Sequence, residues 1–308
     1  MRDNALISCK TTRHGQLAGY WQTLLGLALL ASSAAAENLP DTLRLARFQG
    51  SGDTGLVYLQ QLLQAALPHT RDFRHLPVEL TEQTMSPPRM FGEISKPGGL
   101  SNILVWACDS SFMQARDVRR IDIPVDRGML SYWLIITRNE LLPAYRQATS
   151  LAQLRAMKLT FGYPLGKHLR PHWRQNLDIH DAPDMKQALL MLEHGRFDGI
   201  IVSAIHAQAL RASLPADGKL VLEPHLLLVY PSAACFATGQ HQAKLAQQLQ
   251  QGLATIINNG SAEKISRANH QGSLAPELGI RQRQRLMLQT DPKLAPMLKQ
   301  YQQWLYKP

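Results

Sequence analysis

The chain has 308 residues, of which 45% are hydrophobic and 18% charged, and its formal net charge is +10. This is the composition of an ordinary globular core, and it excludes an intrinsically disordered chain, a collagen and a coiled coil. At roughly 100–200 residues per domain, the length allows one large domain or two modest ones. The basic surplus gathers in residues 241–308, interspersed with Gln and Leu, which favours a solvated helical face over a membrane or nucleic-acid surface.

The first 36 residues have the layout of a secretory signal peptide. Three cations between Arg2 and Arg13 precede a short apolar run at 21–30, and small residues then lead to three alanines at 34–36. The run is about half the ~20 residues needed to span a bilayer, so it predicts a cleaved leader and no membrane anchor. Cleavage after Ala36 leaves 272 residues and predicts a periplasmic protein. A buried N-terminal helix is the alternative.

Hydrophobic periodicity predicts a first α/β unit before residue 125. A strand of alternating apolar and polar residues is followed by a helix that begins at Asp53 or Thr54, both good N-cap residues, and ends at Leu67 before Pro68. A second strand, a helix interrupted by prolines and a continuous apolar strand follow. The alternation favours a parallel sheet covered by helices. The predicted strands are 42–48, 76–80 and 102–107, and the predicted second helix is 89–94.

The alternation restarts at residue 129 and predicts a second α/β unit, after which the chain turns helical. Two successive α/β units followed by helices favour two lobes over one continuous sheet. The predicted strands are 129–137, 158–163, 197–202, 220–230 and 232–238. The predicted helices are 150–157, 167–177, 184–194, 241–258 and 295–306, and the residues between the last two helices are predicted to be irregular.

Signatures of catalysis are scarce. The sequence has no G-x-S-x-G elbow, no H-E-x-x-H pair and no Walker-type phosphate loop. Ser261 and Lys264 match an S-x-x-K spacing, but a serine before a helix is more simply an N-cap. His168 and His172 are four residues apart, yet Pro171 separates them and no Cys or carboxylate motif completes a metal site. We therefore predict a protein that is not an enzyme and that uses no cofactor or metal.

The turn at 162–168 (GYPLGKH) joins a predicted strand to a predicted helix. Free backbone N–H groups at such a turn can hold an anion or a carboxylate, and open α/β sheets bind ligands at the carboxyl ends of strands. A plain strand–helix turn that uses glycine for its backbone freedom is the alternative. Trp106, Trp133 and Trp173 are predicted to lie in the core or a pocket wall, because no basic residues interleave with them as in a nucleic-acid stacking surface.

The order of elements and two short motifs resemble a known family. The segment 195–203 (GRFDGIIVS) is similar to the G-R-x-D-A strand of the extracellular solute-binding proteins of family 3, which are type 2 periplasmic binding proteins. The segment 123–130 (IPVDRGML) resembles a stretch that leads into the second lobe in a divergent branch of substrate-binding-like proteins. The resemblance covers almost the whole mature chain. It implies a two-lobed α/β fold with two interlobe crossings, the first lobe being 37–125 with 231–308 and the second 126–230.

The chain departs from that family where an amino acid would be held. The family's late strand ends in an aspartate that binds the ligand's ammonium group, and this chain has Ser203 there. The family's carboxylate-binding turn corresponds to Gly166, Lys167 and His168, and its first-lobe arginine corresponds loosely to Arg116. Without the aspartate, the charge-assisted bond that a desolvated amine needs is lost. This departure argues against a zwitterionic amino acid and leaves an anionic or neutral solute open. A degenerate pocket that serves as a sensor or protein-interaction module is equally open.

The predicted function is that of an exported binding protein whose lobes close on a small solute, for transport or sensing, without catalysis. The implied partners are the solute and an inner-membrane transporter or sensor, with no nucleic acid, and a monomer is expected. The alternative class is a secreted α/β hydrolase or transferase, against which the missing nucleophile–base signature argues. Each expected pocket residue has an alternative role in capping or at the surface. The expected contributors are Ser51, Asp53 and Asp109 from the first lobe and Gly166, Lys167, His168 and Ser203 from the second.

The resemblance also bears on Cys108 and Cys235. In the resembled topology the returning strand lies antiparallel beside the third strand of the first lobe, which makes the two cysteines neighbours although they are 127 positions apart. Opposed residues on such strands have Cα atoms about 4.5–5.5 Å apart, within disulfide range. Two buried thiols are the favoured interpretation, because free cysteine is a common small core residue. A disulfide is the alternative, since export supplies oxidising conditions.

Overall fold

The computed structural model describes residues 40–48, 53–164, 173–269, 274 and 276–308. The predicted leader and four of the predicted pocket residues (Ser51, Gly166, Lys167 and His168) lie outside these ranges. Within them, no helix combines the length and the apolar character that a membrane span requires.

The described chain alternates strands and helices through most of its length, and short 3-10 turns connect several of them. The strands are β1 (Leu43–Phe48), β2 (Val78–Met85), β3 (Leu104–Ala107), β4 (Val118–Arg120), β5 (Tyr132–Arg138), β6 (Thr160–Tyr163), β7 (Asp178–Asp181), β8 (Gly199–Ser203), β9 (Leu220–Leu222), β10 (Leu226–Val229), β11 (Ala234–Gly239) and β12 (Gln284–Met287). The α-helices are α1 (Asp53–Ala66), α2 (Pro87–Ile94), α3 (Leu142–Arg146), α4 (Leu151–Ala156), α5 (Trp173–Asn176), α6 (Met185–Glu193), α7 (Ala204–Ala212), α8 (Ala243–Asn258), α9 (Ser261–Ala268) and α10 (Ala295–Gln300).

The first sheet combines a parallel pair with an antiparallel triplet. β1 and β2 run parallel, with Leu43 paired to Val78, and β11 lies antiparallel between β3 and β4. A parallel bridge between Leu45 and Ile103 joins the two groups. Together with α1, α2, α8 and α10, these strands enclose one continuous hydrophobic core.

Helices α1 and α8 pack against each other on this sheet. Leu56 and Leu63 of α1 and Leu249 of α8 are all buried to 1% exposure or less. A Cβ atom at Gly252 would lie 2.4 Å from the carbonyl oxygen of Ala66, so only glycine allows the two helices to approach this closely.

The second sheet is mixed and has the strand order β12-β10-β5-β8-β6-β7, with β9 also pairing to β5. β6 runs parallel to β7 and β8, whereas β5 is antiparallel to β8 and β10. Alternate residues of β5 enter two separate cores, Leu134 and Ile136 on one face and Trp133 and Ile135 on the other. Burial on both faces explains why β5 and β8 are continuous apolar runs in the sequence.

Asp198 of the GRFD motif has a structural role at the start of β8. Its Oδ2 accepts hydrogen bonds from the backbone N–H and the hydroxyl of Thr160, at 2.9 and 3.0 Å. Its backbone carbonyl accepts from Thr137 Oγ1 at 2.7 Å and from the Tyr145 hydroxyl at 2.9 Å. Asp198 therefore ties β5, β6 and β8 together at the end of the sheet opposite Ser203.

The chain crosses from the first sheet to the second at residues 126–131 and returns at 230–233. After α9 it makes a further excursion to the second sheet. There Leu278 and Leu286 are buried in the two second-lobe cores, and β12 lies parallel beside β10. The assignment of all of 231–308 to the first lobe therefore does not hold for 274–288. The prediction that the residues between 258 and 295 are irregular is likewise wrong, because α9 and β12 lie there.

Arg283 explains why this excursion stays on the second sheet. The residue is 8% exposed, and its guanidinium donates to the backbone carbonyl oxygens of Glu223, Leu226 and Leu278. Burial lowers the pKa of Arg283, while the nearby Glu223 carboxylate opposes this shift. Three carbonyl acceptors satisfy a cation that would otherwise be too costly to bury.

Cys108 and Cys235 form a disulfide in the structure and are not two separate thiols. β11 lies antiparallel to β3, with Cys235 opposite Trp106, and Cys108 N donates to the carbonyl oxygen of Ala233 at 2.9 Å. The bridge therefore joins diagonal neighbours, with Cα atoms 5.2 Å apart. It encloses the chain from the first crossing to the return crossing.

Candidate functional site

The carboxyl ends of β6 and β8 and the first residues of β5 share the edge of the second sheet that is nearest the crossings. Trp133 is paired with Ser203 across β5 and β8, and Tyr230 N donates to the carbonyl oxygen of Ser131 at 2.8 Å where the chain returns. Open α/β sheets bind ligands at the carboxyl ends of their strands. The region where this edge meets the first lobe, called the interlobe site below, is therefore the candidate functional site.

Four aromatic side chains of the second lobe fill this edge. Trp173 is stacked between Tyr163 and Tyr230, with ring centroids 6.3 and 5.3 Å apart, and Trp133 meets Trp173 edge-on at 5.2 Å. The exposed fraction of each of the four is 4% or less. The indole N–H of Trp133 donates to the carbonyl oxygen of Leu130 at 2.7 Å. These four rings, together with Trp106, are called the aromatic wall below.

Trp106 extends the wall from the first lobe. It lies on β3, is partly buried, and meets Phe48 at 5.4 Å and Phe91 at 6.4 Å, both edge-on. Its side chain packs against the first-lobe core and also against the second-lobe core that contains Trp133 and Trp173. Trp106 is therefore a residue through which the two lobes touch.

Two indole N–H groups of the wall have no hydrogen-bond acceptor among the described residues. Nε1 of Trp106 and Nε1 of Trp173 are both buried. A buried donor without an acceptor costs about 1–3 kcal/mol. Each lobe thus contains one buried indole N–H group without an acceptor among the described residues.

The hydroxyl of Ser203 bonds within its own lobe. Ser203 ends β8 and precedes α7, and its Oγ lies 2.8 Å from Nδ1 of His206. His206 keeps an exposed edge, yet the surrounding protein desolvates its ring and lowers its pKa below the ordinary value of 6.5. The pair is therefore uncharged at neutral pH. Where the resembled family has an ammonium-binding carboxylate, this chain has no counter-charge for a cation.

Asp109 follows β3 and lies beside the return crossing. It is 0% exposed, and its carboxylate accepts a hydrogen bond from Ser232 Oγ at 3.1 Å. Ser232 is also paired with Ser131, whose Oγ donates to Ser232 O at 2.7 Å and accepts from Ser232 N at 3.0 Å. Asp109 therefore joins the end of β3 to the two crossings, and its contact with a solute stays a prediction.

A second carboxylate, Asp126, clamps the crossings together. Its Oδ1 accepts from the backbone N–H groups of Gly128 at 3.0 Å and Ala234 at 2.9 Å, and its Oδ2 accepts from Leu130 N at 2.8 Å. The residue is only partly buried, but its carboxylate is enclosed, and this desolvation raises its pKa against the opposing effect of the three N–H groups. Next to it, the buried hydroxyl of Tyr58 donates to the carbonyl oxygen of Val125 at 2.7 Å.

The remaining predicted pocket residues are not brought together by the described chain. Arg116 is exposed in the turn before β4, and Asp53 is the first residue of α1. The contributions of Ser51, Gly166, Lys167 and His168 stay predictions, because these residues lie outside the described ranges. The tyrosines of the wall and Asp126 were not predicted as site residues. Aromatic residues at strand ends, such as Tyr163 at the end of β6, are the sequence signal that points to them.

A cavity of about 400 Å³ lies elsewhere in the second lobe, beside α4, α5, β6 and β7. Arg155 at its rim donates to the backbone carbonyl oxygens of Gln175 and Asn176, and Arg174 donates to Ile179 O and to Asp181. These donors are already satisfied. Among the described residues, no group of three or more His, Cys, Asp or Glu side chains is placed to hold a metal ion. The interlobe site remains the stronger candidate.

No protein-family model and no curated protein matches the sequence. Solved structures match its fold. A double mutant of the VFT2 domain of BvgS from Bordetella pertussis is 19% identical with a TM-score of 0.52, covering 74% of this chain and 93% of that chain. An ancestral arginine-binding protein bound to glutamine is 16% identical with a TM-score of 0.50, covering 75% and 98%. A periplasmic His/Glu/Gln/Arg/opine family-binding protein from Silicibacter pomeroyi in complex with lysine is 7% identical with a TM-score of 0.51, covering 76% and 99%.

Identities at this level establish the fold alone. The chain has the two-lobed α/β fold of the type 2 periplasmic binding proteins, and the predicted fold class is confirmed.

Proposed function

We propose that this chain is an exported binding protein that holds a small anionic or neutral solute between its two lobes, without catalysis. The observation that carries the proposal is the pair of buried indole N–H groups, Trp106 Nε1 from the first lobe and Trp173 Nε1 from the second, which have no acceptor among the described residues. Both groups only donate, so they fit a solute that presents acceptor oxygens. The uncharged Ser203–His206 pair supports the same choice against a solute with an ammonium group.

The lobes in this proposal are 37–125 with the greater part of 231–308, and 126–230 with the excursion 274–288. Solute binding would be linked to rotation about the crossings. Gly166, Lys167 and His168, which follow β6 in the sequence, are proposed solute contacts, with Lys167 supplying positive charge toward an anion. Ser51 and Asp53 are the proposed contacts from the first lobe. An inner-membrane transporter or sensor is the proposed partner, and a monomer is the proposed state.

A thermal-shift screen of the mature protein against organic acids, neutral solutes, amino acids and peptides tests this function. We expect an anionic or neutral solute to raise the melting temperature, because a ligand at 100 times its Kd stabilises the native state by about 2.7 kcal/mol. Trp106→Phe and Trp173→Phe each remove one donor and keep an aromatic ring. Each is expected to weaken binding about 5-fold for a neutral acceptor and about 10-fold or more for a carboxylate.

Trp133→Phe is the matched control for these variants, because the Trp133 indole N–H already donates to Leu130 and is not free for a solute. Calorimetric titration of the three variants with the solute found in the screen measures the effect. Equal affinity losses in all three would show that the donors at Trp106 and Trp173 do not contact the solute. Binding only of zwitterionic amino acids would contradict the proposed solute class.

A degenerate binding fold that acts as a sensor or protein-interaction module is the second candidate. The close burial of the aromatic wall favours it, because the rings already occupy the edge where a solute would bind. If the chain is such a module, no solute of the thermal-shift screen should change the melting temperature of the folded protein. A solute-binding protein should instead respond to at least one of them.

Export is part of the proposal and has its own test. Expression of the full chain in a Gram-negative host is expected to give a periplasmic protein whose intact mass corresponds to a chain beginning at Glu37. A variant with Leu25→Arg and Leu29→Arg interrupts the apolar run of the leader and is expected to stay uncleaved in the cytoplasm. A full-length mass for the wild-type protein would contradict cleavage after Ala36.

A further inference from the structure

Residues 301–308, called the strap below, touch both lobes beside the first crossing. The strap begins in the first lobe, where Tyr301 and Trp304 belong to the hydrophobic core. The indole N–H of Trp304 donates to the carbonyl oxygen of Pro124 at 2.8 Å. This end of the strap is therefore fixed to the first lobe just before the chain crosses.

Arg127 holds the middle of the strap to the crossing itself. Its guanidinium lies 5.0 Å from the centroid of the Trp304 ring, and its Nε donates to the Trp304 carbonyl oxygen at 3.2 Å. The same guanidinium forms an ion pair with Glu263 of α9 at 3.2 Å. Arg127 also has a backbone φ of 58°, an uncommon conformation for a residue other than glycine, which the surrounding contacts must maintain.

The far end of the strap contacts the second lobe. The backbone N–H of Tyr306 donates to Arg127 O at 2.7 Å, and its carbonyl oxygen accepts from the hydroxyl of Tyr132 at 3.2 Å. The rings of Tyr132 and Tyr306 meet edge-on at 5.9 Å. Arg285 of β12 donates to the carbonyl oxygen of Pro308 at 3.0 Å. Both Tyr132 and Arg285 belong to the second sheet.

From these contacts we propose that the strap is a latch across the hinge. Rotation of the second lobe about residues 126–131 would change the distance between the Pro124 anchor and the anchors at Tyr132 and Arg285. Opening must therefore break the contacts at one end of the strap. The second-lobe end yields first, because Tyr306 is partly buried and Arg285 exposed, whereas Trp304 is buried in the core. The latch sets how readily the lobes separate, whichever solute binds.

Distance measurement by double electron–electron resonance on the solute-free mature protein tests the latch. Spin labels attached through Gln64→Cys on α1 and Lys186→Cys on α6, both exposed positions, report the separation of the lobes. In the double variant Tyr306→Ala with Arg285→Ala, we expect the ratio of open to closed molecules to rise at least tenfold, with a broader and longer distance distribution. The matched control is Gln303→Ala with Arg281→Ala, which alters exposed residues in the same two segments.

An unchanged distribution in the folded double variant would overturn the proposal, and so would an equal change in the control. If the double variant does not fold, Arg285→Ala alone removes an exposed contact and must still shift the distribution toward longer distances. The distances are measured without solute, so a result that contradicts the latch does not affect the solute-binding proposal. Likewise, a screen that finds no solute does not affect the latch.

Discussion

Replacing Cys108 and Cys235 by alanine is expected to lower the free energy of unfolding by about 7 kcal/mol. Chain entropy assigns about 5 kcal/mol of this to a cross-link enclosing a loop of this length, and the lost packing of the two side chains accounts for about 2 kcal/mol. The two cysteines are 127 positions apart, and both are 0% exposed. The closed loop contains both crossings and every strand of the second sheet except β12. The bridge thus restricts the unfolded chain and holds the returning strand β11 beside β3 at the hinge.

Urea titration of oxidised wild type, reduced wild type and the double variant separates the two effects of the substitution. Reduced wild type keeps both side chains, so its difference from the oxidised protein measures the cross-link alone. The further difference between the double variant and reduced wild type measures the lost packing of two small side chains, for which about 1 kcal/mol each is expected. Two alkylatable thiols in the denatured, unreduced mature protein would exclude the bridge.

The fold could be predicted from the sequence where burial on both faces creates long apolar runs. β5 and β8 are such runs, and the apolar stripe of α1 identifies a helix that the structure places at Asp53–Ala66. The missed elements lack such a signal. β12 is the four-residue segment QRLM, of which only Leu286 is buried, and its pairing with β10 depends on the Arg283 contacts some 60 positions away in sequence. α9 follows Gly260 at a φ of 80° and carries polar residues on most positions.

The candidate site was predictable in position and less so in its residues. Ser203 does lie at the end of β8, where the predicted strand placed it, but its bond to His206 depends on α7, which was not predicted. Asp109 follows a predicted strand, and its burial against Ser232 depends on how the two crossings meet. Contacts between segments 100 or so positions apart have no local signature in the sequence. The wall tryptophans were predicted as core or pocket wall from their surroundings; Trp133 and Trp173 lie in a second-lobe core, and Trp106 packs against it and against the first-lobe core.

Asp126→Ala is expected to lower the free energy of unfolding by about 3 kcal/mol, because it leaves the backbone N–H groups of Gly128, Leu130 and Ala234 without their acceptor. Asp126 is partly exposed, so water can replace part of the lost bonding. Asp122→Ala is the matched control. Asp122 is exposed on the same segment and forms a surface ion pair with Arg120, so about 0–1 kcal/mol is expected from its loss.

The pH dependence distinguishes a clamping carboxylate from a merely well-packed side chain. Enclosure raises the pKa of Asp126 above its ordinary value of 3.8. Between pH 3.8 and the elevated native pKa, the native state therefore holds more protons than the unfolded state. The contribution of this group to stability is therefore greatest below pH 3.8, falls as the pH rises through the elevated native pKa, and is constant above it. In Asp126→Asn the amide does not titrate, so the stability difference between wild type and this variant should change only within that window. Urea titrations of both proteins between about pH 3 and pH 8 measure it, and a difference that does not vary with pH would contradict the raised pKa.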